Sequence, residues 1–204
     1  MASLAEHEVD LLIVGGGATG LSLAAQLAAA GDACPRTVLL EERSEYTNDR
    51  SWCFWDFDEL PPGFEEIIEQ RWSRWSFSGS GAHGFHENQE PHEHHSEAVP
   101  YAFVPGEKFY RHALGLIERQ PRIRLMRGSV VQSIAEDASR AEVRTADAVF
   151  RAPRVVDTRP PENADRATLF QVFQGVEVET EADCFQRDTA DLMSALNADS
   201  DGVY

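Results

Sequence analysis

The stretch Val9-Asp10-Leu11-Leu12-Ile13-Val14-Gly15-Gly16-Gly17-Ala18-Thr19-Gly20-Leu21 decides the fold of this chain. Residues Val9 to Val14 are a short apolar run of strand type, suited to a central parallel strand buried on both faces. Glycines follow at once. From Ala18 to Ala30, Leu21, Ala24, Ala25 and Ala28 fall on one stripe at helical spacing, and Gly31 supplies a stop. A second apolar run, Thr37 to Leu40, ends in Glu41 and Glu42. Strand, glycine turn, helix, strand and acid together read as a βαβ dinucleotide-binding unit.

Each glycine has its own job in such a unit. Gly15 permits the tight turn, Gly17 lets the backbone approach a pyrophosphate, and Gly20 lets the helix pack against the strand. The helix then begins at Ala18 and Thr19, where unpaired amides and a partial positive charge face the phosphates. Glu41, at the end of the second strand, is placed to accept hydrogen bonds from a ribose. The cofactor-binding candidates are therefore Gly15, Gly17, Ala18, Thr19, Gly20 and Glu41. Arg50 joins them as a residue that would reach a phosphate or ribose. The glycine pattern, with Glu41 rather than Asp, favours FAD, and NAD is the alternative.

Composition narrows the function further. With 204 residues and 42% hydrophobic content the chain can bury a core. A net charge of −17 repels phosphate backbones, which argues against nucleic acid as a partner. Cys34, Cys53 and Cys184 are widely spaced and lack CxxC pairing, so they read as reduced thiols. The uncharged run between Asp10 and Asp32 is long enough for a membrane span, but its glycines, Thr19, Ser22 and Gln26 argue against one. The acidic Glu6, Glu8 and Asp10 are not the basic start of a signal peptide. A cytoplasmic protein is expected.

Beyond the βαβ unit, residues 51–100 are an insertion, first aromatic (Trp52, Phe54, Trp55, Phe57, Phe64, Trp72, Trp75, Phe77) and then polar and His-rich, with Ser78 to Ala98 read as loop. Residues 101–160 return to the nucleotide-binding domain. Here a helix from Gly106 to Arg119 carries Phe109, Ala113, Leu116 and Ile117 on one side, and Pro121 ends it. Strands are expected at Ile123–Met126, Ser129–Ile134, Ala141–Thr145 and Ala148–Asp157, a parallel strand followed by an antiparallel meander. Residues 161–204 begin a substrate domain with a strand over Leu169–Thr180 and a turn at Asp199–Gly202. The fold class expected is α/β, a Rossmann-like FAD/NAD(P)-binding domain with an antiparallel meander and an incomplete substrate-side sheet.

The segment Asp49-Arg50-Ser51-Trp52-Cys53-Phe54-Trp55-Asp56 resembles one that follows the nucleotide-binding unit in lycopene cyclases, which are carotenoid-forming flavoproteins. Tyr101 with the helix around Phe109, Val155-Val156-Asp157-Thr158-Arg159, and Phe170 to Thr180 resemble further family segments in order and rough spacing. Val176 stands where Trp is common in the last of these. Leu192-Met193 and Val203-Tyr204 also fit. The resemblance implies cyclisation of the linear ends of lycopene into β-rings without net redox change. It implies FAD in reduced form, with NAD(P)H as an electron source, a lycopene-like polyene as substrate, and contact with a membrane surface for substrate access. Family members are roughly twice this length, so the chain resembles an N-terminal fragment, with the acidic catalytic motif expected beyond Tyr204. No catalytic residue is assigned here.

Several features admit two readings. The four tryptophans line a polyene channel or form the core of the insertion. His83, His86, His92, His94 and His95 suggest a metal site, but their glutamates, glycines and lack of a helical frame favour a solvated loop and no metal. Glu177 and Glu179 are candidate acids, or the wet face of a strand. Asp157 sits near the flavin, or caps the next turn. A flavin-dependent oxidoreductase or hydroxylase using NAD(P)H and a non-catalytic nucleotide-binding remnant are the competing functions.

Overall fold

The computed structural model describes residues 4–57, 59–79, 92–160, 178–182 and 184–195. Two units emerge. The first takes Met1–Arg50 and Gly106–Gln171, and the second Ser51–Pro105 and Val172–Tyr204.

The first unit opens with β1 (Ala5–Glu8), β2 (Leu11–Val14), α1 (Ala18–Ala29) and β3 (Thr37–Leu40). The second unit then contributes β4 (Ser51–Trp55), β5 (Gln70–Trp72), β6 (Arg74–Gly79), β7 (His92–His95) and β8 (Tyr101–Pro105). The chain returns to the first unit with α2 (Gly106–Glu118), β9 (Ile123–Met126), β10 (Ser133–Glu136), β11 (Ala141–Arg144), β12 (Ala148–Ala152) and β13 (Val155–Asp157), and β14 (Thr189–Ala195) belongs again to the second.

In the first unit, a wholly parallel sheet runs in the order β13-β2-β3-β9. Its middle strands are buried on both faces, as their unbroken apolar sequences require: Leu12, Ile13, Leu39 and Leu40 are at most 1% exposed. One face packs Leu12, Val14, Val38 and Leu40 against Val143, Ala148, Phe150 and Ala152 of the meander β10-β11-β12. Helices α1 and α2 pack on each other, α1 against β2 and α2 against β9. The α/β class and the parallel-strand-then-meander order follow the sequence.

Particular boundaries differ from expectation for physical reasons. The run Ala148–Asp157 is two strands, not one, because Pro153 lacks the amide a ladder needs; β12 joins the meander and β13 the parallel sheet. The strand expected at Ser129–Ile134 starts at Ser133, since Gly128 (φ +68°) turns the chain and the Ser129 amide bonds the Glu41 carbonyl at 2.8 Å. Polar Ala5–Glu8, unremarkable in sequence, is a strand parallel to β12. It is held by cross-strand chemistry: Arg151 bonds Glu6 (2.9 Å) and Glu142 (2.8 Å), and the His7 ring stacks on Phe150 with centroids 4.9 Å apart.

In the second unit, the order is β14-β6-β7 in one sheet and β4-β8-β5 in another. Residues 92–95, read as loop, form β7, antiparallel to β6. β14, also not expected, runs parallel to β6. Most of the strand expected at Leu169–Thr180, the turn at Asp199–Gly202, Val203-Tyr204, His83, His86 and Glu177 lie outside the described residues. Among the described residues, no helix is long and apolar enough to cross a membrane.

Candidate functional site

The site begins where β2 ends. Gly15 takes φ +95°, a left-handed conformation that favours glycine, and its amide donates to the Leu40 carbonyl at 2.9 Å. The Thr158 hydroxyl, at the end of β13, donates to the carbonyls of Val14 and Gly15 (3.0 and 2.9 Å), tying the turn to the neighbouring strand. A Cβ placed on Gly20 would stand 1.9 Å from the Gly15 carbonyl oxygen, so the first turn of α1 lies directly on the glycine turn. Gly17 is the N-cap of α1, has no side-chain cap, and faces open space. Ala18 is half-buried and Thr19 exposed in the first helical turn, which carries no acid. That end of the helix thus presents amides without intrahelical acceptors, uncovered by any side chain at Gly17.

Glu41 follows β3 and is 5% exposed. One of its carboxylate oxygens accepts the Gly16 amide, and the other accepts the backbone amide and Nε of Arg43, both at 2.9 Å. Burial acts to raise its pKa, but the Arg43 guanidinium and amide and the Gly16 amide together outweigh burial and hold it below the ordinary carboxylate value. Arg43 also donates to the Gly16 carbonyl (3.1 Å) and to the Tyr110 hydroxyl of α2 (3.2 Å). The Tyr46 hydroxyl donates to the same Gly16 carbonyl at 3.0 Å. The guanidinium carbon lies 4.8 Å from the Tyr46 ring centroid and 5.6 Å from that of Tyr110, and the two rings are 4.6 Å apart. Burial pushes both phenols above their usual range.

Gly16 is therefore the hub, although a fingerprint written Gly15-x-Gly17-x-x-Gly20 leaves it variable. A Cβ there would meet the Tyr46 hydroxyl at 2.4 Å and the Glu41 carboxylate at 2.7 Å. Sequence reasoning also missed Arg43, Tyr46 and Tyr110. The available signal was an arginine two residues after the strand-end acid.

The remaining candidates make contacts of their own. Arg50 is two-thirds exposed, with Nε 3.6 Å from Asp49, while its carbonyl accepts the Gly106 amide at 2.8 Å where α2 starts. Asp157 forms a two-bond pair with Arg159 (3.0 and 2.8 Å), which holds its carboxyl below the ordinary value, burial opposing. The Arg159 side chain passes beside Gly15. Glu179 is exposed. Among the described residues, no three His, Cys, Asp or Glu side chains are arranged to hold a metal ion.

In the second unit, Trp55 meets Trp75 edge-on (centroids 4.6 Å) and Tyr101 at 4.7 Å; Trp72 lies 6.3 Å from Tyr101 and 6.4 Å from Phe103, and Trp75 stacks on His94 at 6.1 Å. All four tryptophans are half-buried. Burial lifts Tyr101, beside the Cys53 thiol, to about 12.

Comparison with known proteins follows this geometry. A search of curated proteins returns no match. Among solved structures, the chain is similar to the p-nitrophenol 4-monooxygenase PnpA of Pseudomonas putida (TM-score 0.58, 17% identity, 85% of this chain and 46% of that one). It is also similar to NikD, an amino acid oxidase of nikkomycin biosynthesis (TM-score 0.54, 16% identity, 78% and 53%). A third is the halogenase PltM, solved with phloroglucinol and FAD (TM-score 0.52, 16% identity, 74% and 34%). The chain thus spans about half the length of the first two. These likenesses establish a fold shared with flavoenzymes. The family model described as lycopene cyclase protein matches residues 10–203, and the chain belongs to that family.

Proposed function

We propose that this chain carries the FAD site of an enzyme that cyclises the linear ends of a lycopene-like polyene to β-rings. The observation that carries the reading is the family match over residues 10–203, which takes in both the glycine turn and the Trp52–Trp55 segment. The residues fit a dinucleotide. The amide end of α1 is open at Gly17. Glu41 has three donors on a carboxylate with about four acceptor positions, which leaves one for a ribose hydroxyl.

In this reading the amides of Ala18 and Thr19 bind the pyrophosphate, Gly17 admits it, Gly15 and Gly20 hold the turn's shape, and Glu41 orients the ribose. Arg50, exposed beside Asp49, is a further phosphate or ribose contact. FAD in reduced form, with NAD(P)H as its electron source, would supply negative charge and electron density beside a cation. The reaction balances without net redox: a proton adds to a terminal double bond, a neighbouring alkene attacks the carbocation, and a proton leaves. The half-buried rings of Trp52 and Trp55 are suited to line the polyene's path. The substrate would be collected at a membrane surface.

Expression of the complete coding sequence in lycopene-accumulating cells, with chromatography of the pigments, tests this. β-ringed product is expected, and unchanged lycopene in flavin-loaded cells would overturn it. A second reading, a flavin-dependent oxidoreductase using NAD(P)H, draws on the monooxygenase and halogenase named above. It requires NAD(P)H consumption stoichiometric with product, whereas cyclisation requires none per ring.

A further inference from the structure

We propose that Arg43 is the positioning residue of the dinucleotide site, holding the Glu41 carboxylate against Gly16 while being held itself by Tyr110 of α2. The inference rests on the FAD reading and extends it to a residue that is not itself part of the fingerprint.

Three observations meet at Arg43. Its Nε and backbone amide both occupy one oxygen of Glu41, which fixes the carboxylate's plane and leaves the other oxygen for Gly16 and a ligand. Its Nη2 takes the Gly16 carbonyl, so both polar groups of Gly16 are bound from the segment that follows β3. Its Nη1 reaches Tyr110, whose hydroxyl is 3.2 Å from Asp49, and the guanidinium lies over the Tyr46 and Tyr110 rings. Arg43 therefore connects three pieces of chain that the sequence separates: the glycine turn, the strand-end acid and the second helix.

The same commitments limit the ligand. An arginine near the strand-end acid commonly receives the 2′-phosphate of NADP. Here Nε, Nη1 and Nη2 are each already directed at a protein acceptor, and the carboxylate that Nε holds is buried and would repel a phosphate beside it. The site accepts an adenosine dinucleotide with a free ribose hydroxyl.

The test uses the pH dependence of cofactor binding. The charged and titratable groups near Glu41 are Arg43, Tyr46, Asp49, Tyr110 and, acting on Tyr46, Arg127. Of these, only Arg43 donates to the carboxylate. Without the guanidinium, burial of Glu41 is opposed only by the Gly16 and residue-43 backbone amides, so its carboxyl lies higher than in the wild type and the acceptor is protonated earlier on acidification. Titrating the flavin-free protein with FAD, read by quenching of flavin fluorescence, should give a pH-flat affinity for the wild type. R43M should bind about tenfold more weakly at pH 8, the size expected for lost charge-assisted bonds, and weaken further on acidification at a pH where the wild type is still flat. R43K, which keeps the charge, should recover the flat profile, and Y110F should weaken binding about threefold with a flat profile.

A thermal melt in parallel separates positioning from folding. A purely structural Arg43 would lower Tm in R43M yet leave affinity and pH profile as in the wild type, and that result overturns the inference, as does a sloping profile in R43K. Should R43M fail to fold, R43K and Y110F decide alone: affinities equal to wild type in both would overturn it. A wild type that binds no FAD overturns the FAD reading itself, and ADP-ribose binding without FAD binding would identify the NAD alternative.

Discussion

Around Gly16 in the first unit, a carboxylate, an arginine and two tyrosines are joined by hydrogen bonds of 2.9–3.2 Å. Around Trp55 in the second unit, aromatic rings meet at centroid distances of 4.6–6.4 Å, and the tryptophans are only half-buried. Directional bonds to backbone atoms make the first region intolerant of an added methyl group. Ring contacts, which tolerate a range of offsets and angles, leave the second able to repack. The difference separates a site whose geometry is fixed by its own chain from a surface whose rings remain partly available.

The largest expected effect is at Gly20. Gly20→Ala places a Cβ 1.9 Å from the Gly15 carbonyl, a backbone atom that cannot rotate away, and should cost about 3–5 kcal/mol or prevent folding. Gly17→Ala, three residues earlier, meets nothing within 4 Å and should leave denaturant stability nearly unchanged while weakening FAD binding. Equal losses of stability in the two variants would break the picture of one packed and one open glycine.

Next comes the aromatic region. Trp75→Ala removes a half-buried ring that touches Trp55 and His94, and should cost about 2 kcal/mol, less than the 3–5 typical of a fully buried tryptophan. A measured loss at or above that range would make the rings core rather than surface. A small loss of stability together with lost cyclisation would sharpen the contrast between the units.

The contrast also bears on what a sequence reveals. β3 and β9 have the bounds read from the sequence, Thr37–Leu40 and Ile123–Met126: β3 because it is buried along its whole length, and β9, the edge strand that carries exposed Arg124, because Arg122 and Arg127 mark its ends. β1, β7 and β14 were not read, since Ala5–Glu8, His92–His95 and Thr189–Ala195 owe their strand state to the partners β12 and β6. At the site, Gly15 and Gly20 were legible because a left-handed turn and a close backbone approach demand glycine there. Arg43, Tyr46 and Tyr110 were not, because their roles depend on chain brought together over 27, 30 and 67 residues of separation.

A smaller effect concerns acid. Glu41 has a depressed pKa in the folded protein, so the unfolded chain binds its proton more readily, and the carboxylate's contribution is present above the unfolded value near pH 4.3 and lost as the pH falls through the folded value. Glu41→Gln should be less stable than wild type by about 1–2 kcal/mol at pH 7, with the gap closing below about pH 4. Denaturant midpoints at both pH values measure it. A constant gap would mean that the charge of Glu41 is irrelevant and only its shape matters.

The smallest effect is one residue beyond Tyr110. On the exposed side of α2, Arg111 pairs with Glu107 one helical turn away, with side chains 70% and 61% exposed. Such a pair stabilises a helix by about 0.3–0.5 kcal/mol, because solvent screens the attraction and two long side chains lose freedom. Arg111→Ala should therefore lower stability by no more than about 0.5 kcal/mol, and the difference should vanish in about 1 M salt, where the Debye length is about 3 Å. Tyr110→Phe changes a single hydroxyl on the other face, yet that hydroxyl is the acceptor that holds Arg43. If flavin affinity responded to Arg111→Ala as strongly as to Tyr110→Phe, the coupling of α2 to the cofactor site would be a diffuse property of helix charge. If only Tyr110→Phe moves it, the coupling runs through one hydrogen bond, as the geometry requires.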